Sequence, residues 1–545
     1  MASFCFGDIL ESVVDEVPDR VALIAGDERL TYRELDDRIN ALAHHFLAIG
    51  VEPGDHIGIY ASNGPEWVIA MYAAYKIRAV PVNINFRYVE DELRYLFDNA
   101  DLVGVVYQAE YESRLEAIRG DLPLLRHFVR IGDGRGDDGS HLDADDFAAI
   151  IATGDTSRPA LERSGDDIYM LYTGGTTGMP KGVMWRQEDV YFALAGGIDA
   201  FTKELAPSPL VHAERIRAQV DAGGTPIIMF PIPPLMHGAG QFGVKNGFHM
   251  GNTVVLIDKF DPVAVWRLVE REKVNSVSIT GDAMARPLVE ALVELGDDVD
   301  VSTLVSLNST AAIFSAPVKE QFLDLLPDIL LLDAIGSTEG GMNGIAAVDR
   351  NSVKEASVAR VMAQRDAVVL DDDGKEVEPG SGVVGRLARK GNVPIGYYKD
   401  PEKTAATFPV IDGIRYSVPG DYARLEADGE ITLLGRGSQS INTGGEKVFP
   451  EEVESALKRH PAIFDALVVG LPDERWGQQV TAIVQVRPDA DAPGLDDVRE
   501  HARRFIAGYK LPRGLLVVDE VPRLPSGKPD YRTATSLATE RGATG

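Results

Sequence analysis

One stretch of the chain combines glycine, threonine and lysine in a way that suits the binding of phosphate groups. It reads YTGGTTGMPKG at 172–182 and directly follows the apolar stretch IYMLY at 168–172. Glycine N–H groups, threonine hydroxyls and one ammonium group can surround a polyphosphate. Glycine follows the lysine, so this is not a Walker A loop, and a turn without a ligand is the alternative. The residues predicted to contact phosphate are Thr173, Gly174, Gly175, Thr176, Thr177, Gly178, Met179, Pro180 and Lys181.

The segments around this loop alternate between helix and strand patterns. Thr31 and Glu34 have the spacing of a capping box, which predicts a helix from Tyr32 to Ile49. Such alternation favours a mainly parallel sheet covered by helices, so the predicted fold class is α/β. The predicted strands lie at 56–60, 79–82, 102–107, 168–172, 253–256, 274–280, 304–308 and 330–334.

The pattern changes after about residue 434 to shorter units. Helices are predicted at 451–459 and 498–506, and strands at 466–470, 480–486 and 515–518. These units indicate a separate, small α+β domain at the C-terminal end. The glycine-rich run at 435–445 is predicted to join it to the larger N-terminal domain.

Charge and cysteine content exclude several classes of protein. The chain has 84 acidic against 54 basic side chains, a formal charge of −30, and no long basic run, so nucleic-acid binding is not expected. Cys5 is the one cysteine, which excludes an intramolecular disulfide and a multi-thiolate metal site. The N-terminus lacks the basic residues of a signal peptide, and no apolar stretch is long enough to span a bilayer. We expect a soluble, cytoplasmic protein.

Six further motifs follow the phosphate loop in a fixed order. They are PPLMHG at 233–238, GSTE at 336–339, GYYKDP at 396–401, PGD at 419–421, GR at 435–436 and PSGK at 525–528. Together with the loop, they resemble the adenylate-forming superfamily of acyl-CoA synthetases, luciferases and peptide-synthetase adenylation domains. The chain resembles in particular the actinobacterial ligases of fatty acids and steroid side-chain acids (3-oxocholest-4-en-26-oate type).

The resemblance implies that ATP, Mg²⁺ and CoA bind to this chain. By resemblance, Glu339 holds Mg²⁺ and Lys528 enters the active site to bind the carboxylate and the α-phosphate, with Thr338 beside that phosphate. Lys528, Thr338 and Glu339 are predicted to be catalytic, because the reacting groups are all anions and their charge must be neutralised. The other implied ligands are Asp333 and Ala334 for adenine, Asp421 and Arg436 for ribose, His237 for the acyl group or thiol, and Gly444 and Gly445 for pantetheine.

The implied architecture is an N-terminal domain at 1–436 that binds ATP and the acid, and a mobile C-terminal domain at 437–545. The hinge is expected at Gly437 and Ser438, although an acidic residue is usual at the second of these positions. Two other positions depart from the family pattern. Ile335 replaces the usual aromatic residue, and Pro419 the usual threonine.

The predicted function is an acid:CoA ligase that forms an acyl-adenylate and releases AMP and pyrophosphate. One alternative is an acyl-AMP ligase that transfers the acyl group to a separate carrier protein. A non-catalytic nucleotide- or acyl-binding protein is the alternative from another class. The expected partners are a hydrophobic carboxylic acid, ATP and CoA, and the sequence leaves a homodimer open.

Overall fold

The computed structural model describes residues 3–132, 142–173, 179–198, 204–312, 314–350, 360–443, 446–473, 477–524 and 527–542. The helices are α1 (Phe6–Glu16), α2 (Tyr32–Ala48), α3 (Pro65–Lys76), α4 (Glu90–Asn99), α5 (Glu112–Arg119), α6 (Phe147–Thr153), α7 (Gln187–Leu194), α8 (Val211–Asp221), α9 (Gly238–His249), α10 (Pro262–Glu272), α11 (Gly281–Leu295), α12 (Ala316–Leu325), α13 (Pro401–Thr407), α14 (Pro450–Leu457), α15 (Leu495–Ala502) and α16 (Tyr531–Arg541). Within the described parts of the chain, no helix combines the length and apolarity needed to cross a membrane.

The strands range from two to eleven residues in length. They are β1 (Val21–Ala25), β2 (Glu28–Thr31), β3 (His56–Tyr60), β4 (Val80–Asn83), β5 (Leu102–Gln108), β6 (His127–Ile131), β7 (Asp145–Asp146), β8 (Ile168–Thr173), β9 (Lys181–Arg186), β10 (Ile228–Pro231), β11 (Thr253–Leu256), β12 (Ser276–Ile279), β13 (Ser306–Ser309), β14 (Leu330–Ser337), β15 (Gly341–Val348), β16 (Arg360–Ala363), β17 (Ala367–Leu370), β18 (Val384–Lys390), β19 (Gly396–Tyr397), β20 (Val410–Ile411), β21 (Ile414–Ser417), β22 (Asp421–Leu425), β23 (Glu430–Arg436), β24 (Ile441–Thr443), β25 (Glu446–Val448), β26 (Ile463–Asp473), β27 (Gly477–Val486) and β28 (Gly514–Val518).

The chain divides into two compact units. The first unit comprises Met1–Ser278, Asp297–Leu304 and Gly391–Val410. The second unit comprises Ile279–Gly296, Val305–Lys390 and Ile411–Gly545.

The first unit holds the parallel sheets that the βαβ pattern predicts. One sheet has the order β4-β3-β5-β6-β7, and all its pairings are parallel. In a second sheet, β1, β11, β10 and β12 are parallel, while β2 is antiparallel to β1. The third is a small antiparallel sheet in the order β19-β9-β8. This third sheet carries the ends of the phosphate loop.

Helix α3 lies in the core of the first unit. Trp67, Tyr72 and Tyr75 on α3 are almost completely buried, as expected for a helix that is apolar on every side. The one lysine of that helix, Lys76, is also buried. Its ammonium group lies 2.5 Å from an Asp36 oxygen, and Asn40 and Glu11 also contact it. The buried charge is therefore compensated, as a core lysine requires.

The second unit contains an antiparallel sheet and a small α/β sheet. β13 and β14 are parallel, and β14, β15, β16, β23, β22 and β18 follow with antiparallel pairings. Nearer the C-terminus, β25, β24, β27 and β26 pair in that order, and β28 is parallel to β27. Helices α14 and α16 pack on this smaller sheet.

Several local predictions agree closely with these elements. The Thr31 hydroxyl accepts a hydrogen bond from the Glu34 N–H, and the Glu34 carboxylate accepts one from the Thr31 N–H, so the capping box is confirmed. The strand predicted at 56–60 is β3, with the same ends. The glycine-rich run at 435–445 differs from a plain linker, because the end of β23 and all of β24 lie within it.

Candidate active site

The phosphate loop connects the two strands of an antiparallel hairpin in the first unit. β8 ends at Thr173, β9 begins at Lys181, and these two residues are opposite each other. Pro180 is buried, and its carbonyl accepts a hydrogen bond from the Tyr95 hydroxyl at 3.2 Å, whereas Met179 is exposed. The predicted ligands Gly174, Gly175, Thr176, Thr177 and Gly178 lie outside the described residues.

Lys181 forms an ion pair with a carboxylate that the sequence analysis did not select. Its ammonium group contacts Oδ2 of Asp400, while Oδ1 of the same aspartate accepts a hydrogen bond from the Lys403 N–H at 2.9 Å and caps α13. The hydrogen bond from Lys181, followed by that from Lys403, lowers the pKa of Asp400. One carboxylate therefore caps a helix and neutralises the lysine of the phosphate loop.

Asn83 ties the start of the phosphate loop to the segment before His237. Its side chain, in a residue only 6% exposed, donates to the carbonyls of Tyr172 (2.9 Å) and Met236 (2.7 Å) and accepts from the Tyr172 N–H (2.8 Å). Asn63 accepts from the Leu235 N–H at 2.7 Å. The Asn83 bonds link two motifs more than fifty positions apart, and the Asn63 bond holds the second of these motifs. No local sequence signal identifies either asparagine.

His237 stands at the N-cap position of α9, half-buried at the end of that tethered segment. Its own N–H bonds to the Pro234 carbonyl at 2.9 Å. The side chain makes no cap hydrogen bond with the helix, so it is not used to begin α9. The turn thus fixes the histidine backbone close to the strand that leads into the phosphate loop.

Thr338 and Glu339 occupy the tight turn between β14 and β15 in the second unit. The Gly340 N–H donates to the Ser337 hydroxyl at 2.8 Å, and the Ser417 hydroxyl donates to the Glu339 carbonyl at 2.6 Å. Both bonds hold the backbone of the turn rather than the Glu339 carboxylate. Thr338 and Glu339 are both half-buried.

Asp333 and Ala334 lie on β14, four to six positions before these two turn residues. The Asp333 carboxylate pairs with Lys319 of α12 at 2.5 Å, so this carboxylate is already engaged within the protein. Ala334 is half-buried and opposite Ile345 of β15. The four predicted residues of this region therefore share one hairpin.

Asp421 and Arg436 are brought together by strand pairing. They begin β22 and end β23, and they are direct partners in the antiparallel register. The Gly437 N–H bonds to the Gly420 carbonyl at 2.9 Å and closes this end of the pair. The Arg436 side chain lies outside the described part of the structure, as do Gly444 and Gly445.

Lys528 is exposed on a loop of the C-terminal part of the second unit. The preceding residue, Gly527, has a φ of +79°, and a Cβ atom there would lie 2.4 Å from Cβ of Ala283 on α11. Close by on the same helix, the Arg286 guanidinium lies 4.3 Å from the centre of the Phe464 ring. The lysine loop therefore packs closely against α11, and only glycine fits at position 527.

Comparison with known proteins identifies the family to which the chain belongs. Residues 10–398 match the AMP-binding enzyme family, and residues 452–528 match the AMP-binding enzyme C-terminal domain. The chain belongs to the AMP-binding enzyme family. The resemblance to adenylate-forming enzymes is thereby confirmed.

Two relatives of this AMP-binding enzyme match nearly its whole length. A medium/long-chain-fatty-acid–CoA/3-oxocholest-4-en-26-oate–CoA ligase of Mycobacterium tuberculosis is 51% identical over 98% of this chain and 96% of its own. A 3-oxocholest-4-en-26-oate–CoA ligase of Rhodococcus rhodochrous is 48% identical over 97% of this chain and 94% of its own. Among solved structures, the anthranilate CoA ligase AuaEII with anthranoyl-AMP has a TM-score of 0.82 at 24% identity, and each chain is 99% covered. That likeness confirms the predicted fold class.

Proposed function

We propose that this AMP-binding enzyme is an ATP-dependent acid:CoA ligase for hydrophobic carboxylic acids of the fatty or steroid side-chain type. The observation that carries the proposal is the 51% identity, over 98% of the chain, to a ligase named for both kinds of acid. The reaction has two steps. The carboxylate attacks the α-phosphorus of ATP and releases pyrophosphate, and the CoA sulfur then attacks the acyl carbon and releases AMP.

The first step requires positive charge around the triphosphate, because all the reacting groups are anions. We assign Lys181, Thr173 and the loop residues Thr176 and Thr177 to the β- and γ-phosphates. Thr338 is assigned to the α-phosphate, and Asp421 to the ribose hydroxyls, with Arg436 beside it as a fixed cationic fork. The pairing of β22 with β23 supports the last two assignments, since it makes these residues neighbours.

Glu339 is assigned to Mg²⁺. The described residues contain no cluster of three or more His, Cys, Asp or Glu side chains that could hold a metal ion alone. A single carboxylate fits Mg²⁺, which is commonly held by one or two carboxylates together with substrate phosphates and water. When bound with ATP, the ion neutralises charge on the phosphate oxygens.

We assign Lys528 to the attacking carboxylate and the α-phosphate during the first step. For the second step, the domain at 437–545 is proposed to rotate about Gly437 and Ser438, so that Gly444 and Gly445 approach pantetheine and His237 lies near the acyl group. The domain at 1–436 would then keep the adenylate bound.

We further propose a cytoplasmic location, where ATP and CoA are available. A homodimer stays a prediction that the mass in solution would test.

The experiment that tests this function is a single incubation with ATP, Mg²⁺, CoA and a mixed pool of fatty and steroid side-chain acids. Mass spectrometry should detect AMP, pyrophosphate and at least one new acyl-CoA. An adenylate without any thioester would indicate transfer to a carrier protein instead. Absence of both AMP and adenylate would contradict the proposed ligase activity.

Asp400 should weaken ATP binding through its pairing with Lys181. In Asp400→Asn, the amide oxygen can still cap α13, but the negative charge beside the lysine is lost. Because a solvent-accessible ion pair is worth up to about 1 kcal/mol, we expect the KM for ATP to fall roughly two- to fivefold. Asp101→Asn is the matched control, since Asp101 pairs with Lys399 at 2.7 Å. The pairing would not govern ATP binding if the KM for ATP rose in Asp400→Asn, or if it fell equally in Asp101→Asn.

Asn83 should affect both stability and turnover. Asn83→Ala leaves buried backbone groups of Tyr172 and Met236 without their partner, so we expect unfolding free energy to drop by about 1–3 kcal/mol. The loosened loop should also lower kcat/KM by roughly tenfold. Asn99→Ala is the control, because the Asn99 side chain accepts a hydrogen bond from the Tyr172 hydroxyl, at 2.7 Å, rather than from the Tyr172 backbone. Equal losses of kcat/KM in both variants would show that the Asn83 bonds to the backbone of Tyr172 and Met236 have no specific effect on catalysis.

A further inference from the structure

The loop that carries Lys528 reverses direction within a few residues. The Gly527 N–H donates to the Leu524 carbonyl at 2.8 Å, and the Leu524 N–H donates to the Lys528 carbonyl at 2.8 Å. Arg523 and Pro529 form an isolated antiparallel bridge across its base. The backbone of Lys528 is therefore fixed, although its side chain is exposed and long.

The guanidinium of Arg523 stabilises this turn through hydrogen bonds. One of its terminal nitrogens donates to the Gly527 carbonyl at 3.0 Å, immediately before Lys528. Its Nε and its other terminal nitrogen donate to the two carboxylate oxygens of Asp465, at 2.8 and 2.9 Å. Arg523 thus joins the tip of the loop to β26 through three directed hydrogen bonds.

Asp465, the acceptor of two of these bonds, is buried and ionised. It is 7% exposed and also pairs with the buried Lys458 at 3.1 Å. Burial by itself would raise the pKa of Asp465, but Lys458 and Arg523 together lower it to about 2. The carboxylate therefore stays ionised throughout the neutral range. Phe464, which contacts Arg286 of α11, is its neighbour in the chain.

We propose that Arg523 is a positioning residue for adenylation: it fixes the loop so that the Lys528 ammonium group reaches the carboxylate and the α-phosphate. This role rests on the proposed ligase function. Arg523 makes its described contacts with Asp465 and Gly527, and it acts on the reaction only through Lys528. The planar guanidinium bonds both carboxylate oxygens of Asp465 and, through a third N–H, the Gly527 carbonyl. A lysine cannot replace it fully, because its single ammonium group lacks this planar arrangement of donors.

The test is Arg523→Lys, with the two half-reactions measured separately. Adenylation is followed as acid-dependent exchange of pyrophosphate into ATP, and thioester formation is followed from synthetic acyl-AMP and CoA. We expect adenylation to fall roughly tenfold, since small misplacements of a reacting group are costly, while thioester formation stays near the wild-type rate. Retained thioester formation also shows that the C-terminal domain is folded. The exposed Arg503→Lys is the matched control and should change neither rate.

A double-mutant cycle with Lys528→Ala gives the decisive readout. If Arg523 acts through Lys528, Arg523→Lys should add little to the loss of adenylation already caused by Lys528→Ala. A further tenfold loss in that background, or equal losses in both half-reactions, would overturn the positioning role while leaving the ligase function standing. A wild-type enzyme that forms no adenylate from any acid in the pool would overturn both.

Discussion

Lys528→Ala should abolish most of the adenylation activity while leaving thioester formation from supplied acyl-AMP close to the wild-type rate. The lysine is needed where negative charge develops, as the carboxylate oxygen attacks the α-phosphorus. Removing one such preorganised donor typically costs about 100- to 1,000-fold, which is the expected loss. The side chain is exposed, so the substitution should have little effect on folding. Pyrophosphate exchange and single-turnover thiolysis would measure the two rates.

Lys510→Ala is the matched control for this prediction. Lys510 lies in the same C-terminal part of the chain and pairs with Glu452 at 2.6 Å. It belongs to none of the predicted motifs, so both half-reactions should keep their rates. Equal losses of adenylation and thioester formation in Lys528→Ala would mean that this lysine does not act specifically in the first step.

Glu339→Gln should lower turnover by roughly 100-fold and make the remaining activity depend on a higher Mg²⁺ concentration, because a bound metal ion supplies several kcal/mol of charge stabilisation and the variant holds it more weakly. The amide has nearly the same shape but no negative charge for a hard cation. Ser417 bonds the Glu339 backbone carbonyl rather than its carboxylate, so the turn should keep its conformation. Turnover measured across a Mg²⁺ titration would show both effects.

The control for the metal assignment is Glu376→Gln. Glu376 is in the same unit and accepts hydrogen bonds from Lys390 at 2.6 and 2.9 Å. Its replacement should leave the Mg²⁺ dependence unchanged. If Glu339→Gln kept near-wild-type turnover at the same Mg²⁺ concentration, the metal would have to be held elsewhere.

Sequence patterns predicted the elements whose signals are local. The capping box at Thr31 and Glu34 and the apolar run of β3 depend on neighbours within a few positions, and both appear as expected. The strands between Gly341 and Arg436 were not predicted. They are half-exposed and antiparallel, so they lack the continuous apolar runs that mark buried parallel strands.

In the candidate site too, residues within contiguous motifs were predicted, whereas residues that act through tertiary contacts were not. The phosphate loop and GSTE turn were found from contiguous motifs, and the structure places Thr173 opposite Lys181. Asn83 and Arg523 were missed because their importance comes from backbone groups distant in the chain or from a buried partner. Asp400 lay inside a quoted motif, but only the fold pairs it with Lys181. Single residues that work through tertiary contacts leave no spacing pattern to detect.

Transfer of oxygen from the acid to AMP tests the central claim most directly. The enzyme would be incubated with ATP, Mg²⁺, CoA and a carboxylic acid carrying ¹⁸O in both carboxyl oxygens. If the carboxylate attacks the α-phosphorus and CoA then cleaves the acyl carbon–oxygen bond, each AMP released should carry one ¹⁸O, and pyrophosphate should carry none. Acyl-CoA formed with unlabelled AMP, or with label in a released phosphate product, would contradict an acyl-adenylate intermediate.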